Sequence, residues 1–442
     1  MTSAADSPIT HRRVLHIAVP IVLSNATVPI LGAVDTGVVG QLGEAAPIGA
    51  VGLGAILLSL AYWLFGFLRM GITGLAAQAL GQGDHQEISA LLSRALIIGG
   101  GAGLLLIVLQ APLFWLAFAF APASPEVEAL TRDYMAIRIW SAPAAIALFG
   151  ITGWLIAQER TRAVLVVQVV MNGLNVALDF WFVLGLGWGV EGVAWGTFLA
   201  EWTGLAVGLW FCRSAFRSAA FLSPEVILQR DKLRRLTNVS SDILLRSLLL
   251  QLIFLAFLFI GASMGDVTLA ANQVLMQFVT IAAYIMDGFA FSAEALVGQA
   301  VGARAVGRLR RAAILSSIWG AGLVVLLSAV YLALGPWFID LLTTSEEVRA
   351  EARQYLFWLI LSPVVGIAPF MLDGIFIGAT RTRDMRNMMA VSFAIYVAAL
   401  LVFVPVFGNH GLWVALLISF IARGVTLWLK YPALERGVTE GD

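Results

Sequence analysis

Residues 164–184 read VLVVQVVMNGLNVALDFWFVL, an apolar run about one membrane thickness long. Gln168, Asn172, Asn175 and Asp179 interrupt it at spacings of four, three and four, which on a helix places them on one face. A carboxylate in hydrocarbon is costly, so an acid there marks a functional position. A second acid, Asp35, lies late in the first apolar stretch, behind Pro20 and Pro29. Proline removes a backbone donor and permits a helix to bend, so a bendable helix carrying a titratable acid has the parts of a switch. The opposing reading is that both acids are structural, held by neighbouring hydroxyls and amides.

The bulk of the chain agrees with a membrane solvent. Of 442 residues, 60% are hydrophobic and 12% charged, about half the charged share of a soluble domain. The apolar runs are long rather than alternating, which means helices and not a barrel. Net charge is zero, so no basic field invites nucleic acid. The lone Cys212 excludes an internal disulfide framework, and the four histidines show no zinc spacing. No GxSxG elbow or Walker-type phosphate loop is present, so no enzyme, metal site, cofactor or ATP-driven pump is expected. The polar start, MTSAADSPITHRR, has no apolar core with a cleavage site, so no removable signal peptide is expected.

Twelve spans are predicted, at about 14–40, 46–79, 88–120, 126–157, 162–185, 190–213, 238–263, 267–301, 310–334, 350–379, 387–407 and 410–431. Arginines crowd alternate connections: Arg12 and Arg13, Arg160 and Arg162, Arg304 to Arg311, and Arg381 to Arg386. The positive-inside rule then puts both termini in the cytoplasm. The charged segment 214–237 divides the chain into lobes 1–213 and 238–442, six spans each. The lobes repeat at an offset of 221: Gln78-Ala79-Leu80-Gly81 matches Gln299-Ala300-Val301-Gly302, Tyr134 matches Tyr355, Gly153 matches Gly374, and Arg160-Thr161-Arg162 matches Arg381-Thr382-Arg383. Six spans per repeat make the copies parallel, related by a pseudo-two-fold axis along the membrane normal, as in secondary transporters.

The other intramembrane charges are few. Glu201 follows Thr197 by one turn; it joins the same site or pairs with a basic group. Asp287 and Glu294 share a face with Tyr284, and Asp373 stands in span ten. Asp242 and Arg246 are spaced as a local i,i+4 ion pair. These second-half groups read either as a polar network or as a second site for a cation or substrate. Met171, Met286 and Tyr284 are candidates for an adaptable wall against flat cations. Asn172 is a candidate lining residue.

The stretches SNATVPILGAVDTGVVG, FLRMGITGLAAQALG, NGLNVALDFWFVLGLGWGVEGVAWGT, DILLRSLLLQ, AYIMDGFAFSAEALVGQA and MLDGIFIGATRTRDMRN together resemble the multidrug and toxic compound extrusion (MATE) transporters, specifically their DinF-like branch. The resemblance covers essentially the whole chain. It implies a twelve-helix, two-lobed exporter of a bacterial inner membrane; the composition suggests a monomer-sized unit. Such an exporter exchanges H+, or alternatively Na+, for drug-like small molecules. It also implies a cation site at Asp35, Asn175, Asp179 and Thr197. Carboxylates of the second lobe serve other branches; Asp373 fits that pattern, but span seven carries Asp242 and Arg246 where those branches have glutamate. A flippase for lipids or lipid-linked sugars is a further alternative, against which the paired acids argue.

Overall fold

In a computed structural model, residues 7–41, 44–120 and 123–440 are described, apart from the side chains of Pro29, Ile30, Ala33, Thr36, Phe120 and Glu440. Sixteen α-helices and no strands occur among them: α1 His11–Gly40, α2 Ala45–Trp63, α3 Phe67–Gln82, α4 His85–Val108, α5 Gln110–Phe120, α6 Pro125–Arg138, α7 Ala142–Ala157, α8 Thr161–Asp179, α9 Gly189–Phe211, α10 Pro224–Ile227, α11 Arg230–Ser263, α12 Asp266–Gly302, α13 Val306–Leu342, α14 Glu346–Gly378, α15 Thr382–Phe407 and α16 Asn409–Glu440. Among the described residues, ten helical stretches are long and apolar enough to cross a membrane. The 30-residue α1 and the 23-residue α9 occupy the remaining two expected spans. Helix is what hydrocarbon demands, since it satisfies every backbone group within one segment.

Several spans are built of two pieces. A 3-10 turn at Leu64–Gly66 joins α2 to α3, and another at Ile139–Ser141 joins α6 to α7. Pro143 opens α7 at its first turn, where a missing donor is tolerated. Pro20, a candidate bending point, is buried in a helix that runs unbroken from His11 to Gly40; the side chain of Pro29 lies outside the described residues.

The chain forms two compact units. One holds Leu23–Ala79 and Asp84–Leu236; the other holds the residues through Val22, Leu80–Gly83, and the chain from Thr237 on. The repeat read in the sequence is present in the backbone. Left-handed residues end helices at Gly83 and Arg304, at Glu159 and Thr380, and at Gly187 and Gly408, each pair 221 apart. Ser124 and Ser345, also 221 apart, cap α6 and α14 by accepting from the amides of Val127 and Val348. Arg160 N donates to Leu155 O at 2.9 Å, and Arg381 N to Phe376 O at 3.0 Å. Gly153 lies on the carbonyl of Arg69, and Gly374 on that of Ala290, again in register. A Cβ at either glycine would enter the carbonyl oxygen, so these two sites fix how closely α7 approaches α3 and α14 approaches α12.

Segment 214–237 is docked, not loose. Arg94, 2% exposed, donates Nε to Ile227 O (2.9 Å) and a second nitrogen to Val226 O (2.7 Å), capping α10. Its third nitrogen pairs with Glu87 at 2.7 Å, and Glu87 also faces Lys232 at 3.7 Å. Ser93 Oγ donates to Phe221 O at 2.6 Å.

Replacing Gly374 by alanine is expected to lower unfolding stability in detergent by about 1–3 kcal/mol, the usual effect of overpacking. Gly322→Ala, where a Cβ meets nothing within 4 Å, should be neutral or stabilising by up to about 1 kcal/mol. Thermal melting of the two variants beside the parent protein checks both.

Candidate cation site

Helices α8, α9 and the C-terminal half of α1 bring the first-half polar residues together. Asp179 is the last residue of α8; the next six, Phe180–Gly185, form a π-helix. Such widened turns are rare and concentrate at functional sites. Asp179 is fully buried, Asn175 is 1% exposed and Thr197 on α9 is 8% exposed. Gly196 is what lets Asp179 fit, because a Cβ there would land on Asp179 Oδ1. That oxygen is buried and receives no N–H or hydroxyl donor.

Asn175 bridges the acids. One orientation of its amide satisfies all four neighbours. The oxygen accepts from Thr197 Oγ1 at 2.9 Å and Thr197 N at 3.1 Å, while Nδ2 donates to Asp35 Oδ1 at 3.1 Å and Asp179 Oδ2 at 3.3 Å. Asn175 is thus the group that lies between the two acids. Farther down α8, Asn172 Nδ2 donates to Thr27 Oγ1 of α1 at 2.6 Å. Met171 fits against Gly204 of α9, and Gln168 is half-buried on the same helix. The stripe seen in the sequence is therefore the face by which α8 holds α1 and α9.

One turn past Thr197, Glu201 pairs with Arg138 of α6. Two guanidinium nitrogens donate to its carboxylate at 2.7 and 3.2 Å, and one of them also reaches Ser141 Oγ at 2.8 Å. Tyr134 OH lies 3.4 Å from Arg138 Nε, and Tyr62 OH donates to Arg138 O at 3.1 Å. Of the two readings of Glu201, pairing with a base is the one found.

The second half is arranged differently. Asp242 and Arg246 do not pair with each other, contrary to the i,i+4 expectation. Asp242 accepts from Arg386 at 2.6 Å and Thr382 Oγ1 at 3.1 Å. Arg246 and Arg423 both donate to Asp373 Oδ2, with all three residues buried. The reason is geometric: Arg246 faces inward to α14 and α16, while Asp242 sits one turn nearer the Arg381–Arg386 segment. Arg423 lies over the Phe370 ring at 5.6 Å. Met286 lies against Gly366. Asp287 lies within electrostatic reach of Tyr284 and Arg423, and Glu294 is buried. No group of three or more His, Cys, Asp or Glu side chains converges as a metal site among the described residues.

The MatE family model matches the chain twice, over residues 20–181 and 243–403. The chain belongs to the MATE family of transporters. Its relatives include DNA damage-inducible protein F of Escherichia coli, 42% identical over 420 residues, covering 93% of this chain and 90% of that protein. This places it in the DinF-like branch. Among solved structures, an outward-facing multidrug resistance MATE transporter aligns with a TM-score of 0.89 at 17% identity, covering 97% and 96% of the two chains. The bent form of VcmN from Vibrio cholerae aligns at 0.86 with 21% identity, covering 97% and 98%. MATE proteins are transporters rather than enzymes, and this one is a multi-pass membrane protein.

Within this MATE fold, the residues that the resemblance singled out, Asp35, Asn175, Asp179 and Thr197, meet at one point. The second-half candidates Arg246 and Asp373 meet at another, with Arg423, which sequence reading did not single out. Gly196 and Arg138 were likewise not singled out as site residues; the glycine in GVAWGT and an arginine in mid-span were the available signals.

Gly196→Ala should abolish transport while leaving the folded fraction near that of the parent, measured by dye efflux beside gel-filtration yield. Asp373→Leu strands two buried guanidinium groups and is expected to destabilise the protein by about 3–5 kcal/mol, read by thermal melting in detergent.

Proposed function

We propose that the chain is a proton-coupled antiporter that exports cationic or amphipathic compounds by alternating access, with Asp35 and Asp179 as the ionisable members of its coupling site. The observation that carries this reading is the meeting of two acids in a buried site: the Asn175 amide lies 3.1 Å from Asp35 Oδ1 and 3.3 Å from Asp179 Oδ2, and Asp179 is fully buried. Two carboxylates placed so favour uptake of a proton over two bare charges. Asn175 and Thr197 position the acids and do not themselves titrate.

In this cycle the ionised pair attracts a bound cation. Protonation from outside removes the charge, and the substrate leaves. Proton and substrate therefore bind antagonistically, and the antagonism is reciprocal. Release of the proton to the cytoplasm resets the site. Pro20 and Pro29 each interrupt the hydrogen-bond ladder of α1, the helix that carries Asp35, so α1 is the element that bends between states. Asn172 and Met171 line the substrate path beside it. Asp287, Glu294, Tyr284 and Met286 contribute to the polar wall of the second lobe. The lobes are residues 1–213 and 238–442 with a cytoplasmic connection between them, and a single chain in the inner membrane, both ends cytoplasmic, is the working unit.

Ethidium accumulation in everted vesicles under an imposed pH gradient tests this. The parent should accumulate dye, and an uncoupler should stop it. Asp35→Asn and Asp179→Asn should each reduce proton-driven accumulation to background. Survival of proton-driven transport in both variants, or accumulation driven by a Na+ gradient at fixed pH, contradicts the proposal.

A further inference from the structure

Gln78 and Gln299 hold the same place in the two halves, 221 residues apart, and both are buried near the ends of their helices, α3 and α12. Each accepts a hydrogen bond from an arginine on the helix that opens the opposite half. Arg13, in the first turn of α1, donates to Gln299 Oε1 at 2.9 Å. Arg235, near the start of α11, donates to Gln78 Oε1. The exchange is reciprocal, and the packing of the chain repeats it. Residues through Val22 group with the second-half helices, while α11 as far as Leu236 groups with the first-half helices. Around Arg13 the seat is well defined. Arg13 also donates to Ser7 O at 2.6 Å, Arg311 Nε of α13 donates to Ile9 O at 2.6 Å, and Trp319 Nε1 donates to His11 Nδ1 at 3.1 Å. Gly81, at the end of α3, lies on the carbonyl of Gln299, where a Cβ would enter the oxygen. Two first-half elements, the start of α1 and the end of α3, thus converge on one glutamine of α12.

These ties differ in chemistry from the joints inside each half. There, buried arginines hold carboxylates: Arg94 on Glu87, Arg138 on Glu201, and Arg246 with Arg423 on Asp373. Separating such a pair strands a buried charge. Arg13 and Arg235 hold neutral amides instead, and Arg13 is half-buried and Arg235 exposed. Beside Arg235, Lys232 faces Glu87 only at 3.7 Å. A guanidinium on an amide exchanges its partner for water at small net cost, so these ties can open and close repeatedly. We propose that Arg13–Gln299 and Arg235–Gln78 are paired latches that hold the carrier closed toward the cytoplasm and release when it opens to that side. The inference rests on the alternating-access reading and the orientation given above. Alternating access moves one repeat against the other, and a tie from the opening helix of one half to a helix of the other is what that motion must break. The latches favour the closed state, so removing them raises the share of carriers open to the cytoplasm. Apparent affinity for a cytoplasmic substrate rises with that share.

Ethidium uptake into everted vesicles, whose outer surface is the cytoplasmic face, tests this under whichever ion gradient drives the parent. The double variant Q78L/Q299L should lower the KM for ethidium about three- to tenfold and also lower kcat, because return to the closed state is slowed. A merely structural role would lower rate or yield without lowering KM. A second measurement uses R13C/Q299C in a C212S background, joined by a thiol-reactive linker that a reductant cleaves. The linked protein should bind ethidium yet transport none, and reduction should restore the transport of the unlinked variant. R235C/Q78C repeats the measurement at the other latch. Should Q78L/Q299L fail to fold, the cross-links carry the test alone. A KM that is unchanged or raised in the double variant, or transport by fully linked protein at the unlinked rate, overturns the inference. A parent that moves no ethidium under any gradient overturns the transport reading instead, so the two failures are distinct.

Discussion

Two carboxyl groups in an apolar interior cannot both be charged at close range, and this constraint shapes the first half of the molecule. Burial penalises each charge, and the second charge penalises the first again. Asp35 and Asp179 meet around one amide, that of Asn175. The local architecture follows from keeping that contact. Gly196 removes the side chain that would displace Asp179. The π-helix at Phe180–Gly185 begins immediately after Asp179, at the end of α8. The Thr27–Asn172 hydrogen bond ties α1 to α8 some two turns away.

The two halves show how far one scaffold can carry different chemistry. Backbone features recur at the offset of 221, down to left-handed residues and serine caps. The ionisable side chains do not. Asp35 corresponds to Ala256, and Asp179 to Leu400; Asp373 corresponds to Thr152, and Arg246 to Asn25. The second half balances its buried aspartate with two guanidinium groups, so Asp373 has its positive partners built in. The first half places Asp35 and Asp179 on either side of Asn175, so one scaffold carries two different charge clusters.

Much of the fold was legible because membrane spans are long apolar runs and the repeat is a fixed offset; both are local or near-local signals. All twelve expected spans are helical. The breaks inside them were not legible: the 3-10 turn after Trp63 and the π-helix after Asp179 leave no distinctive composition. The polar stripe of α8 was legible because helical periodicity put Asn172, Asn175 and Asp179 on one face. Partner choice was not. Asp242 and Arg246 have the spacing of an ion pair, yet each finds a partner more than a hundred residues away, because buried charges pair where tertiary packing places the best geometry. Glu201 was visible as an intramembrane acid, but nothing in the sequence ties it to Arg138, 63 residues away.

The central claim is that substrate and proton compete for the Asp35–Asp179 pair. The most direct measurement is proton release on substrate binding by the purified protein in weakly buffered detergent solution, followed with a pH indicator as ethidium is added. The account predicts net proton release on binding, lost when both acids are replaced by asparagine. Substrate binding by the parent with no proton released, or release that persists in the double replacement, would contradict it.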